Sequence, residues 1–282
     1  MPEPLTLYCA GYGYSAAALA KRLITQGWRV KGTTSKDAKQ AEMAVLGVEA
    51  VSWPPVANDL AGVTHFLVSA GPDEAGDPTL REAKDVIANA SFDWVGYLST
   101  TGVYGDHGGG WVDEDTPLTP STKRGALRVR AEAEWWDMNL PLHIFRLAGI
   151  YGPGRGPFSK VRNGTARRIE KPGQVFSRIH RDDIAAALEA SIEAPNPVRA
   201  YNLCDNEAAP PQDVIAYAAE LLGVEPPPLT QIDQVEMSPM AASFYAESKR
   251  VSNQRLREEL GVKLKHPTYR EGLAATLAEE SA

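Results

Sequence analysis

Residues 5–23 read Leu-Thr-Leu-Tyr-Cys-Ala-Gly-Tyr-Gly-Tyr-Ser-Ala-Ala-Ala-Leu-Ala-Lys-Arg-Leu. The first six form a short apolar run without charge, and the last seven an amphipathic helical pattern. Between them Gly11-Tyr12-Gly13-Tyr14-Ser15-Ala16 spells G-x-G-x-x-A, the order in which a strand turns into a helix over a dinucleotide. Gly11 permits the tight turn, and Gly13 lets a diphosphate approach the backbone. Ala16 is small enough for the helix to pack closely on the strand, and the helix N-terminus offers its free N–H groups to phosphate oxygens.

Working outward, the next strand is residues 28–34, roughly 20 residues past the glycines, where the ribose-reading side chain is expected. An acid there would hold the 2′-hydroxyl of NAD. The sequence offers Thr33, Thr34, Ser35 and Lys36 instead. Hydroxyls beside a cation suit a 2′-phosphate, which favours NADP, with NAD as the alternative if Asp37 is the reading acid. A plainer role for residues 35–37 is to cap the following helix.

The alternation continues with a helix over 37–46, strands at 48–51 and 65–70, a helix over 78–90 and a strand at 93–99. Strands alternating with helices imply a parallel, doubly wound sheet. The fourth strand runs into Ala70-Gly71-Pro72, small residues that leave room for cofactor or simply make a turn. A sixth strand is expected around Arg146 and residues 147–150, and an edge strand at 201–204.

The chain has 282 residues, 43% hydrophobic and 23% charged, with net charge −7. That balance gives no footprint for nucleic acid or an anionic membrane surface. Cys9 and Cys204 lack metal spacing and read as packed thiols, and no His/Cys pattern suggests a metal. There is no run of about 20 apolar residues to span a membrane. With no signal-peptide pattern, the expectation is a cytoplasmic protein.

Further motifs follow in order: Ser99-Thr100-Thr101-Gly102-Val103-Tyr104-Gly105, then residues 114–120. Arg146-Leu147-Ala148-Gly149-Ile150-Tyr151-Gly152-Pro153-Gly154-Arg155 and Arg178-Ile179-His180-Arg181-Asp182-Asp183 complete the set. With these, the chain resembles the extended short-chain dehydrogenase/reductases, the NAD-dependent epimerase/dehydratase type, from the glycine turn to about residue 205. The resemblance implies an α/β Rossmann sheet, residues 1–150 plus about 178–205. It also implies a small, mostly helical substrate cap from about 151–177 and 206–282. Within the cap, helices are expected at 212–222, 244–260 and 270–277.

Carried over by position, the family's catalytic Ser/Thr falls on Thr100, and Tyr104 is a second catalytic candidate. The family's Tyr-x-x-x-Lys falls on Arg124 and Arg128, so the usual pair is absent. A guanidinium stays protonated and cannot replace the phenol as acid and base. Spaced i, i+4, the two arginines share a helix face. They can clamp a substrate anion, or Arg128 can pair with Glu132 on a solvated face. Tyr151, Arg155 and His180 are further substrate-binding candidates, while Asp182 or Asp183 suits the cap of the helix at 184–192. The resemblance implies an oxidoreductase or epimerase acting on a small polar substrate, anionic or a sugar nucleotide. The alternative is a non-catalytic NAD(P) sensor. The resemblance allows a homodimer, with Trp135-Trp136 as the candidate patch and core packing as the plainer role for that pair.

Overall fold

The computed structural model describes residues 4–55 and 57–281. Seven strands form one sheet: β1 (Thr6–Ala10), β2 (Arg29–Thr33), β3 (Val48–Val51), β4 (His65–Val68), β5 (Trp94–Thr100), β6 (Leu142–Leu147) and β7 (Arg199–Leu203). Their spatial order is β7-β6-β5-β4-β1-β2-β3, and every neighbouring pair is parallel. The order reverses between β1 and β4, the place where an open α/β sheet leaves a crevice at its carboxyl edge.

Both faces of the sheet are covered, and the central strands β1, β4 and β5 are accordingly buried along almost their whole length. Successive side chains alternate between faces. Leu7, Cys9, Leu67, Trp94 and Phe145 join one core with α1 (Tyr14–Thr25) and α6 (Arg181–Glu193). Tyr8, Ala10, Phe66, Val68, Tyr97 and Ile144 join the other with α3 (Pro78–Ala88) and α4 (Lys123–Trp136). The short helix α2 (Asp37–Val45) buries Met43 in the first core.

A third, smaller cluster forms the cap. It combines Tyr151, Phe158 of α5 (Phe158–Arg162), Val214 and Ala218 of α7 (Pro211–Leu221), and Tyr269 and Leu273 of α10 (Tyr269–Glu280). Residues 168–170 and 229–231 pair as two short strands beside it.

Several boundaries differ from the sequence reading. The sixth strand is Leu142–Leu147, and Gly149–Tyr151 is a separate short strand paired with Arg178–His180. The single helix expected at 244–260 is two: α8 (Pro239–Tyr245) and α9 (Gln254–Glu259). Between them Arg250–Val251 pairs with Trp111–Val112. Val251, Leu256, Leu260 and Val262 therefore pack with the sheet, although this stretch was expected in the cap. Trp135 is fully buried in the second core, which removes it as a subunit-contact patch. Among the described residues no helix is long and apolar enough to cross a membrane.

Candidate functional site

The glycine turn closes against β2 and β4. Gly11 sits at φ +89°, and a Cβ there would stand 2.9 Å from the Ala70 nitrogen, so the close approach needs glycine twice over. Its N–H donates to Thr33 Oγ1 at 2.7 Å, and the Tyr12 N–H to the Thr33 carbonyl at 2.9 Å. Thr33, at the end of β2, is thus a buried brace for the turn. Gly13 caps α1 and has no side chain to bond the first-turn N–H groups, which suits a phosphate at that helix end. Tyr14 and Ser15 face the cleft, whereas the side chains of Tyr12 and Ala16 lie in the first core. Neither side chain is available to a ligand in the cleft. Thr34 is half-buried at the exit of β2, and Ser35 and Lys36 are exposed beyond it. Lys39 on α2 reaches over the Tyr12 ring at 5.7 Å, a second cation on that side which the sequence reading had not singled out.

A cleft of about 1260 Å³ opens from this turn across the carboxyl edge of the sheet to the cap. Thr100, at the end of β5, lines it and accepts the Gly102 N–H at 3.2 Å. The N-terminal half of α4 presents Arg124 and Arg128 to the same space, and the loop after Tyr151 presents Arg155 over the Tyr14 ring at 5.7 Å. Arg128 does not pair with Glu132. Its guanidinium donates to the Leu98 carbonyl and to Tyr97 Oη, and it passes beside Gly71. Arg124 has neither hydrogen bond nor ion pair among the described residues. Desolvation by the cleft walls, then repulsion from Arg128 and Arg155, holds its pKa below the ordinary guanidinium value.

Lys160, Arg167, Arg178 and Lys249 also line the cleft, making seven cationic side chains against one carboxylate, Glu247, among the described residues. In a chain of net charge −7, that concentration gives the cleft a local positive potential. Lys249 Nζ donates to the Gly105 carbonyl at 2.6 Å and to Glu247 Oε2 at 2.7 Å. The signal for Arg178 stood in the motif at 178–183, but nothing in the spacing told which way that residue faces.

Two of the catalytic and substrate-binding candidates, Tyr104 and His180, lie outside the cleft wall. Tyr104 is fully buried: its hydroxyl donates to Asn202 Oδ1 at 2.7 Å and accepts from Arg146 Nη1 at 2.9 Å. Burial pushes its phenol up to about 12, so the expectation of a catalytic Tyr104 is corrected to a core hydrogen-bonding role. His180 is 1% exposed and caps α6, its Nδ1 accepting the Asp182 N–H at 3.2 Å. It takes the capping place expected of Asp182 or Asp183. Asp183 instead accepts from the Lys265 backbone at 2.6 Å and from the His266 ring at 2.8 Å. Tyr151 lines the cleft, but its hydroxyl is turned to the Thr268 carbonyl at 3.4 Å.

No protein-family model matches the sequence. The Escherichia coli K12 protein YeeZ is 32% identical over 236 residues, spanning 77% of this chain and 84% of its own. A 3-diazoavenalumate denitrifying reductase from a Streptomyces species is 30% identical over 181 residues, 57% of this chain and 58% of the reductase. Among solved structures, a functionally unknown conserved protein from Silicibacter pomeroyi is 56% identical, with TM-score 0.94 over 97% of this chain and 98% of that one. The human epimerase family protein SDR39U1, solved with NADPH, has TM-score 0.77 over 97% of this chain and 99% of its own. At 19% identity that likeness speaks for the fold alone.

Proposed function

The chain belongs to the family of the Escherichia coli protein YeeZ, and from that premise we propose that it is an NADP(H)-dependent oxidoreductase or epimerase acting on a small anionic substrate. One observation carries the reading: a G-x-G-x-x-A turn at a helix N-terminus opens directly into a cleft lined by seven cationic side chains. The reductase relative and the NADPH-bound human protein of the same fold support it.

The residues present fit a dinucleotide. Gly11 and Gly13 with the N-terminus of α1 would hold the diphosphate, Ala70 and Gly71 would border it, with the Arg128 guanidinium beside Gly71, and Thr34, Ser35 and Lys36 would take the 2′-phosphate. The nicotinamide supplies hydride transfer when bound. Thr100 orients the substrate oxygen. Arg124, which has no hydrogen bond or ion pair among the described residues, meets the substrate's negative charge, and Arg128, tied to β5, holds the wall beside it. The proton must come from another group, because neither guanidinium releases one at neutral pH. Lys249 and Tyr245 carry exchangeable protons in the same cleft.

A non-catalytic sensor is the competing reading, favoured by the arginines at the positions of the family's Tyr and Lys. The open cleft speaks for chemistry, since a sensor needs no space beside its dinucleotide. Titration with NADPH and NADH, followed by nicotinamide fluorescence, tests the cofactor assignment. Tighter NADPH binding is expected, and Lys36→Glu should weaken NADPH about tenfold while sparing NADH, as for one lost charge pair. Binding of neither dinucleotide would overturn the assignment.

A further inference from the structure

The two ends of the cleft differ in chemistry. At the sheet end the walls carry the hydroxyls of Ser15, Ser69, Ser99, Thr100 and Thr122. At the cap end α7, α8 and α10 contribute Val214, Ile215, Phe244, Tyr245 and Leu273, an apolar wall. Two hydroxyls at this end are engaged: Ser177 Oγ accepts the Val251 N–H at 3.1 Å, and Thr165 Oγ1 donates to the Lys160 carbonyl at 3.4 Å. Among the described residues lining the cleft there is no Asp, Asn, Gln or His, and Glu247 is paired with Lys249. A sugar ring needs fixed acceptors and amides for its hydroxyls, and this wall supplies few.

Arg178 stands within the apolar wall. Its Nη1 donates to the carbonyls of Phe176 at 2.8 Å and Ala209 at 3.0 Å, which fixes the guanidinium plane. Nε and Nη2 have no hydrogen-bond partner among the described residues, and no carboxylate lies within ion-pair distance; Asp205 acts on it only at longer range. A recessed cation with unused donors in an apolar cleft calls for an anion from outside the protein. A fixed fork of N–H groups matches the two oxygens of a carboxylate.

We propose that the cap end of the cleft binds the apolar body of a carboxylic acid whose carboxylate pairs with Arg178. The proposal rests on the reading of the cleft as the substrate site beside the dinucleotide, and it names the substrate class as an apolar, for instance aromatic, acid rather than a sugar nucleotide.

The test is calorimetric titration of the NADPH-loaded protein with trans-cinnamate, octanoate, cinnamyl alcohol and UDP-glucose. Both acids are expected to bind, at least about tenfold more tightly than the alcohol or the sugar nucleotide. Arg178→Met should weaken the acids about 10–100-fold, as expected for a charge-assisted pair, and leave NADPH affinity unchanged. Ile215→Glu, which places a carboxylate in the apolar wall and keeps Arg178, should weaken them as well. It decides the matter if the first variant fails to fold by circular dichroism. Tighter binding of UDP-glucose than of either acid, or acid binding indifferent to the substitutions, would overturn the proposal. If neither dinucleotide binds, the cofactor reading fails by itself, and titration of the protein alone with the same acids still decides the pocket.

Discussion

The hydroxyl of Tyr104 sits between Asn202 and Arg146, inside a polar cluster where Arg146 also pairs with the buried Glu132 at 2.9 Å and Ser99 donates to that glutamate. Removing the hydroxyl leaves a buried amide oxygen and a guanidinium N–H each short of a partner. Tyr104→Phe should therefore cost about 1–3 kcal/mol in urea unfolding. NADPH affinity and turnover per folded molecule should not change; a catalytic role would show instead as a fall in kcat at unchanged stability. Arg124 presents the opposite case. It makes no hydrogen bond or ion pair among the described residues, so Arg124→Ala should leave the melting temperature nearly unchanged and raise KM for an anionic substrate about tenfold or more. A thermal-shift and kinetic comparison of the two variants separates a core residue from a cleft residue.

At the scale of elements, α10 is the piece that seals the cap. Gly272 lies against Tyr151, and a Cβ there would stand 1.9 Å from the Tyr151 hydroxyl. Gly272→Ala should lower stability by about 1–3 kcal/mol, the cost of overpacking, and loosen ligand binding at the cap end, both measurable by thermal unfolding with and without trans-cinnamate. The glycine turn, β1 to β5 and the helices between them were legible in the sequence, because the apolar runs of β1, β4 and β5, the glycine turn and the regular strand–helix alternation leave few alternatives there. β6 was placed too late, since His143 and Arg146 interrupt its pattern although both are buried. The split between α8 and α9 was hidden too, because a buried lysine at 249 looks like any surface charge in a helix. At the site, position along the chain brought Thr100, Arg124, Arg128 and Arg155 into view. The inward turn of Tyr104 and His180 depended on distant partners, Asn202 and Thr276, which no local pattern reveals.

For the whole molecule, buried titrating groups set how stability depends on pH. Burial holds His143 down to about 4, and burial with the neighbouring His266 charge does the same for His180. Between about pH 4 and the unfolded histidine value of about 6.5, the unfolded chain binds more protons, so stability is lost as pH falls through that window. Asp205 runs the other way: burial raises it to about 8, so the folded protein keeps a proton that the unfolded chain has released. Above pH 6.5 stability should therefore decline by roughly 1–2 kcal/mol up to pH 8. Asp205→Asn should flatten that arm in melting curves recorded at pH 6.5, 7.2 and 8.0; an unchanged slope would assign the decline elsewhere. The same molecule-wide view bears on how the cap is threaded. Tyr151 and Phe158 belong to the cap cluster, Ile179 to Cys204 to the sheet, Ala209 to Ala218 to the cap, Val251 to Val262 to the sheet, and Tyr269 and Leu273 to the cap again. No contiguous stretch of sequence encodes the cap. Recombination cannot exchange it as a cassette, so a change of substrate in this architecture has to evolve in place, one side chain at a time, within segments that also answer to the core of the sheet.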